Sequence, residues 1–217
     1  MIIAAIDTTS GVGSIAILRD RELIYQASLQ SPDGFAHVIF GALDEALSSS
    51  GLALSAVDCF AAASGPGSFT GVRVGLSAAK GLAEAQRKPV CAVSNLRALA
   101  YFGNANRRAA LLDARRHQVY AGIYDSDLNS IVPEQVIELG AWLRQVERPD
   151  EFVVPHDFPF VDELKAIGNP VVVPAQPLAV AIANCAALQK EPWLDPAAAD
   201  ANYVRRSDAE LFWTEPK

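Results

Sequence analysis

The stretch Ser64-Gly65-Pro66-Gly67-Ser68-Phe69-Thr70-Gly71-Val72-Arg73 constrains this chain more than any other. An apolar run at residues 59–63 precedes it and a helical pattern reaching residue 86 follows. It therefore joins a buried strand to a helix through glycines. Loops of that kind often cradle phosphates, and this one fails both standard tests. A Walker A loop needs Lys-Ser/Thr after its closing glycine, because the lysine meets the β- and γ-phosphates; here Val72-Arg73 follows Gly71. A dinucleotide fingerprint needs a third glycine where Thr70 stands, and an acid roughly 20 residues on, where residues 90–95 hold no carboxylate. The loop requires another explanation.

At 217 residues the chain can bury one large or two small cores. No run of about 18 uncharged apolar residues exists, so no membrane-spanning helix is predicted. The opening Met1-Ile2-Ile3-Ala4-Ala5-Ile6-Asp7 lacks a basic region and reads as a strand rather than a signal peptide. Cys59, Cys91 and Cys185 are odd in number, far apart and in apolar settings, which predicts reduced thiols of a cytoplasmic protein. His37, His117 and His156 are scattered without metal-ligand spacing, so no metal and no other cofactor is expected. The formal charge is −7, and the pairs Arg107-Arg108 and Arg115-Arg116 are too short to make a phosphate footprint. Negligible nucleic-acid affinity is expected of the chain alone.

The order of elements is β-β-β-α-β-α-β-α through residue 102, with strands at 2–6, 14–18, 23–29, 59–63 and 89–94 and helices at 36–50, 70–86 and 95–102. A similar order then begins again. An apolar run at 109–112 ends in Asp113, a polar turn follows, and residues 119–124 are β-rich. Laying Asp113 on Asp7 places 120–124 over 14–18 without a gap. Further signals follow at 141–146, 152–154, 159–167 and 171–173, with a last helix at 178–189. The expected fold is α/β: a duplicated unit, with a first domain at 1–103 and a second, degenerate one at 104–217.

The second helix is unusually apolar. Thr70, Arg73, Ser77, Lys80 and Glu84 form one narrow polar stripe, roughly 80° wide, where an ordinary surface helix has a broad one. One arc, Val74, Ala78, Gly81 and Ala85, can pack on the sheet. The opposite arc, Phe69, Val72, Leu76, Ala79 and Ala83 with Gly75 beside it, then needs covering. The first helix, with Val38 and Ala42 among its apolar positions, spans half the wheel. Either a second domain of the chain buries these helices, or they form a subunit interface.

Chemistry has few footholds. Asp7-Thr8-Thr9 after the first strand has the residue types that hold a metal–phosphate group in some folds, but such an Asp also ties a turn through its own backbone. The turn after Asp113 lacks the glycines and hydroxyls a matching phosphate contact needs. No Ser-His-Asp or Cys-His set can be assembled, so no catalytic residue is assigned.

Ile3-Ala4-Ala5-Ile6-Asp7-Thr8-Thr9, the Ser64 to Gly75 block, Leu112-Asp113-Ala114-Arg115 with Val119-Tyr120, and Asn202-Tyr203-Val204-Arg205 together resemble the TsaB (YeaZ) family, nearly end to end. The resemblance implies an actin/Hsp70-like (RNase H-like) fold of two small domains, each a mixed sheet with helices. It implies a role in placing N6-threonylcarbamoyladenosine beside the anticodon of tRNAs that read ANN codons. In that family TsaB is the non-catalytic, dimerising partner of TsaD, which carries the metal, while TsaE is the ATPase that joins them. TsaD's paired histidines have no counterpart here. Where the family usually continues its first helix with Leu-Pro, this chain has Phe40-Gly41. The implied interface is with TsaD, or with a second copy when alone, through Val38, Ala42, Phe69, Val72, Gly75, Leu76, Ala79 and Ala83. Asp7, Thr8 and Thr9 would be a vestigial nucleotide turn. The competing expectations are a small-molecule kinase or ATPase of the same fold, and a metallopeptidase.

Overall fold

The computed structural model describes residues 1–204. Strands β1 (Ile2–Asp7), β2 (Gly13–Arg19) and β3 (Glu22–Leu29) form an antiparallel meander, and α1 (Ile39–Ser49) crosses to β4 (Cys59–Gly65), which pairs parallel with β1. Helix α2 (Phe69–Gln86) then leads to β5 (Val90–Ser94) beside β4, and α3 (Asn95–Tyr101) ends the unit. The sheet order is β3-β2-β1-β4-β5.

The second sheet repeats this plan. It consists of β6 (Arg108–Asp113), β7 (Gln118–Tyr124), β8 (Ser130–Glu138), β9 (Glu151–Val153) and β10 (Val171–Val172) in the order β8-β7-β6-β9-β10. Each strand matches its counterpart in position and direction. Helices α4 (Leu139–Gln145) and α5 (Val161–Ile167) occupy the crossovers, and α6 (Leu178–Leu188) follows. Asp7 and Asp113 end equivalent central strands. The gap-free overlay is nevertheless one residue out. Asp7 faces Ser14, whereas Asp113 faces Val119 rather than Tyr120. The second hairpin is one residue shorter because Arg115, Arg116 and His117 all adopt positive φ in its tip.

The helices and sheets stack in layers. Helices α1 and α2 cover one face of the first sheet through Ile39, Leu43, Leu47, Leu76, Ala79 and Ala83 on Ala4, Ile6, Ile15, Ile17, Phe60 and Ala62. Helices α3 and α6 fill the space between the sheets with Leu96, Leu99, Val180, Ile182 and Cys185, meeting Ala110 and Val153 of the second sheet. Trp142 and Leu164, from α4 and α5, close the outer face of the second sheet over Leu111, Val119 and Ile123. Burial raises the Cys91 and Cys185 thiols to about 12, and that of Cys59 upward as well, so all three stay protonated packing groups.

Helix α6 is apolar all round, as a helix wedged between two sheets must be. It lies over β1 and β2 of the first sheet. The segment after it stays with that sheet: Leu194 exchanges two backbone hydrogen bonds with Val90, Lys80 Nζ donates to the Ala199 carbonyl (2.7 Å), and Asn202 N donates to the Ser64 carbonyl (2.7 Å). A division between 103 and 104, with everything to 217 in the second unit, separates α6 from the sheet it covers.

The structure also fixes the orientation of α2. Val72, Gly75, Leu76, Ala79 and Ala83 are buried on the first sheet, and Gly81 and Ala85 are exposed. The buried side thus takes in most of the arc expected to need covering, together with Ala78 of the other arc, while Phe69 stays 47% exposed. The physical reason is close approach. A Cβ on Gly71 would collide with the Thr8 carbonyl, and one on Gly75 would lie 2.6 Å from Thr8 Oγ1. The glycines therefore face the strand end, and Val72, Leu76 and Ala79 on the same side of the helix are buried with them.

Candidate functional site: the turn after the first strand and the outer face of α1 and α2

Asp7, Thr8 and Thr9 are all buried, at the end of β1. Asp7 Oδ1 accepts from Thr9 N (2.9 Å) and Thr9 Oγ1 (2.6 Å). Thr9 Oγ1 in turn accepts from Asn95 Nδ2 (2.5 Å), and Asn95 Oδ1 accepts from Gly65 N (3.0 Å). Thr8 Oγ1 donates to the Gly71 carbonyl (2.6 Å), and the Thr9 carbonyl accepts from Ser68 N (2.8 Å). The turn thus fastens β1 to both ends of the Gly-Pro-Gly loop and to the start of α3. Burial pushes the Asp7 carboxyl above its ordinary range, and the two Thr9 bonds pull partly the other way. A carboxylate that binds a metal–phosphate group needs a free, charged oxygen facing solvent. Here Asp7 Oδ1, Thr8 Oγ1 and Thr9 Oγ1 are engaged within the fold, while Asp7 and Thr9 also line the cleft between the two turns.

The third helix, expected to begin at Asn95, does so, but Asn95 is not its cap. Instead Ser94 caps it, accepting from Leu96 N and Arg97 N, and Asn95 is the buried bridge. The sequence signal for its role is weak: an amide directly after a strand, with no register to show which way it points.

The matching turn in the second unit is held differently. Asp113 Oδ1 accepts from Arg115 N (2.7 Å), and its Oδ2 pairs with the Arg115 guanidinium at 3.3 Å. A cleft of about 720 Å³ runs between the two turns, lined by Gly67, Ser68, Asp113, Arg115, His156 and Asp157 among others. Its guanidinium is already paired with a carboxylate. Among the described residues no group of three or more His, Cys, Asp or Glu could hold a metal ion, and no helix is long and apolar enough to cross a membrane.

The C-terminal motif packs beside the loop. Asn202 Nδ2 donates to Glu134 Oε2 (2.6 Å), while Glu134 Oε1 accepts from Tyr124 OH (2.5 Å) and from Ser94 Oγ. Burial, with the Glu134 carboxylate alongside, pushes the Tyr124 phenol upward. Tyr203 sets its ring 5.6 Å from that of Phe69, and the Arg73 guanidinium lies 3.5 Å from the Phe69 centroid. Arg205, the last residue of the motif, lies outside the described residues.

Of the eight residues expected at a partner interface, five are core: Val72, Gly75, Leu76, Ala79 and Ala83. Val38 and Ala42 are half-buried, and Phe69 is 47% exposed. The outer face instead presents Phe40, 56% exposed, with Gly41 on α1 and Ser77, Gly81 and Ala85 on α2. A Cβ built on Gly41 or Gly81 would meet nothing within 4 Å.

The sequence pattern of the family described as TsaD, tRNA N6-adenosine threonylcarbamoyltransferase, matches residues 33–200. The tRNA threonylcarbamoyladenosine biosynthesis protein TsaB of Bacillus subtilis is 34% identical over 71% of this chain and 69% of its own. The chain belongs to the TsaB (YeaZ) family. The TsaB protein of Haemophilus influenzae is 39% identical over 54% of this chain and 50% of its own length, so that alignment spans half of that relative. A crystal structure of YeaZ from Pseudomonas aeruginosa superposes with a TM-score of 0.73 at 28% identity, covering 93% of this chain and 99% of that one. The family shares the two-sheet architecture described above.

Proposed function

We propose that the chain is a non-catalytic dimerisation subunit in the biosynthesis of N6-threonylcarbamoyladenosine on tRNA. In this reading it pairs with a TsaD-type threonylcarbamoyltransferase through the outer face of α1 and α2. Family membership supports the pathway. The observation that carries the pairing is the pair of open glycines, Gly41 on α1 and Gly81 on α2, with the exposed Phe40 adjoining Gly41. Glycine inside a helix costs about 1 kcal/mol relative to alanine, a cost tolerated where another backbone comes close. On the inner arc that neighbour is visible at Gly71 and Gly75. On the outer face a partner helix supplies it.

The interface therefore centres on Phe40, Gly41, Ser77 and Gly81, with Val38, Ala42 and Phe69 at its margin. Without the transferase, the same face closes on a second copy about a twofold axis. The non-catalytic reading is supported by kinship with the relatives named as TsaB biosynthesis proteins. TsaE as a further partner, a cytoplasmic location and the absence of direct tRNA binding belong to the same proposal.

Co-expression with the transferase and TsaE of the same organism tests it. The chain should co-purify with the transferase in equal amounts, and tRNA modification should require both. Full modification without this chain would contradict the reading. ATP hydrolysis by the chain alone would favour the kinase alternative.

A further inference from the structure

The inner face of the first sheet, the one that α3 and α6 cover, turns polar at the carboxyl end of β1. Ile3, Ala5, Ala16 and Leu18 belong to the apolar cluster that α6 completes on this face. Beyond them, Asp7 on β1 stands opposite Ser14 on β2, and Ser14 stands opposite Ser28 on β3. Cross-strand partners share a face, so a carboxylate and two hydroxyls form a row across three strands, about 5 Å apart from Cβ to Cβ. All three line the cleft between the two turns. Asp7 and Ser14 are each 2% exposed, yet neither is fully matched. Asp7 Oδ1 accepts both Thr9 bonds, and Oδ2 has no donor among the described residues. Ser14 Oγ accepts from Ala179 N (3.1 Å), and its own proton has no acceptor among the described residues. Buried polar groups are almost always paired, so this free acceptor and free donor side by side call for a polar occupant.

We propose that this row binds the hydroxyls of an uncharged sugar ring, at a site separate from the outer face of α1 and α2 on the other side of the sheet. The pair asks for a group that donates to Asp7 Oδ2 and accepts from Ser14, and a sugar hydroxyl does both at once. A hydroxyl also suits Oδ2 whether or not burial keeps a proton on that carboxyl. A row of three polar groups needs more than one hydroxyl, which a ring with neighbouring hydroxyls supplies. Leu99, Phe102 and Leu178, also in the lining, offer apolar surface to its C–H groups. Charge disfavours a phosphate. The lining carries Asp7, Asp113 and Asp157, and its guanidinium, that of Arg115, already pairs with Asp113, which leaves His156 as the other basic group. A volume of about 720 Å³ lies within the range of small-molecule sites and has room for a pentose or a whole nucleoside.

The experiment titrates the full chain with D-ribose, uridine and uridine 5′-monophosphate, each to about 30 mM, by ligand-observed NMR. Ribose or uridine should bind saturably, with a dissociation constant on the order of 1 mM, as suits so small a ligand. Ribose at least as tight as uridine points to a free sugar, and tighter uridine to a nucleoside; either result supports the inference. The monophosphate should bind roughly tenfold more weakly than the tighter of the two. Asp7→Asn turns the Oδ2 acceptor into a donor and should weaken binding about tenfold. Ser28→Trp, at an exposed strand position that suits a large aromatic residue, should abolish binding by filling the cleft. If the Asn variant fails to fold, Ser28→Trp decides alone. The control Gly81→Arg, on the opposite side of the sheet, should bind as the parent does. Absence of saturable binding would mean that water alone satisfies the pair, and would overturn the inference. So would a monophosphate that binds more tightly than the sugars, binding undiminished in folded Asp7→Asn and Ser28→Trp chains, or binding lost in Gly81→Arg.

Discussion

The two arcs of α2 have nearly the same composition and opposite roles. Both are built of alanine, glycine and valine or leucine, the inner arc with Gly71 and Gly75 and the outer arc with Gly81. On the inner arc, Gly71 and Gly75 press against Thr8 so closely that a methyl group has no room. On the outer arc, Gly81 faces open space, as does Gly41 on the neighbouring helix. Composition says that a helix is short of polar surface. Only what stands opposite each glycine says which side the chain covers itself and which side it leaves open.

The comparison breaks most visibly at Leu76. Leu76→Arg would bury an unpaired charge against Ala62 and Ile6, typically costing 3–5 kcal/mol, of the order of a small domain's whole stability. The expected result is loss of the folded circular-dichroism signal rather than a folded monomer. A folded variant would mean that this arc is not core.

Next in size is the network behind the loop. Asn95→Ala removes the acceptor of the Gly65 amide and the donor to Thr9, leaving a buried N–H unpaired at about 1–3 kcal/mol. Chemical denaturation should show the loss directly. An unchanged midpoint would mean that the turn and the loop are held by packing alone.

Asp7→Asn sharpens the contrast through its pH dependence. Burial raises the folded-state pKa of Asp7, so its protonated form contributes stability that is fully present below the unfolded carboxylate value. That contribution is lost as pH rises through the raised value. The Asn variant keeps an Oδ1 for the two Thr9 bonds and has no proton to lose. Its melting temperature relative to the parent should climb as pH is raised from about 4 to neutral. A constant difference would mean that Asp7 is better solvated than its surroundings imply.

The smallest effect has the opposite sign. Gly81→Ala adds a methyl that meets nothing and should stabilise the isolated chain by about 1 kcal/mol. Thermal denaturation would read this as a rise of a few degrees.

Much of this architecture was legible in the sequence. The first unit's strands and helices follow from apolar runs punctuated by Pro32-Asp33-Gly34, Gly51 and the Gly-Pro-Gly loop, and all three appear as turns in the structure. The repeat was legible from the shared Asp and the element order. Strand β8 was not, because Pro133, Glu134 and Gln135 interrupt its pattern; it is an edge strand, where proline and charge are tolerated. The placement of α6 was hidden because an all-round apolar helix records that it is buried and not which sheet buries it. The one-residue shortening of the second hairpin was hidden because three non-glycine residues in left-handed conformation leave no sequence mark. The orientation of α2 was hidden for a related reason. On a helical wheel a glycine counts as small on either side, and its meaning depends on the backbone opposite.

Gly81→Arg tests the central claim most directly, because the same substitution should spare one property and destroy another. Measured side by side, its melting temperature should match that of the parent to within a few degrees. Its binding to the threonylcarbamoyltransferase should be lost, since a long cation would stand where a helix must approach. A folded Gly81→Arg chain that binds the transferase with unchanged affinity would contradict the account and place the partner on another face.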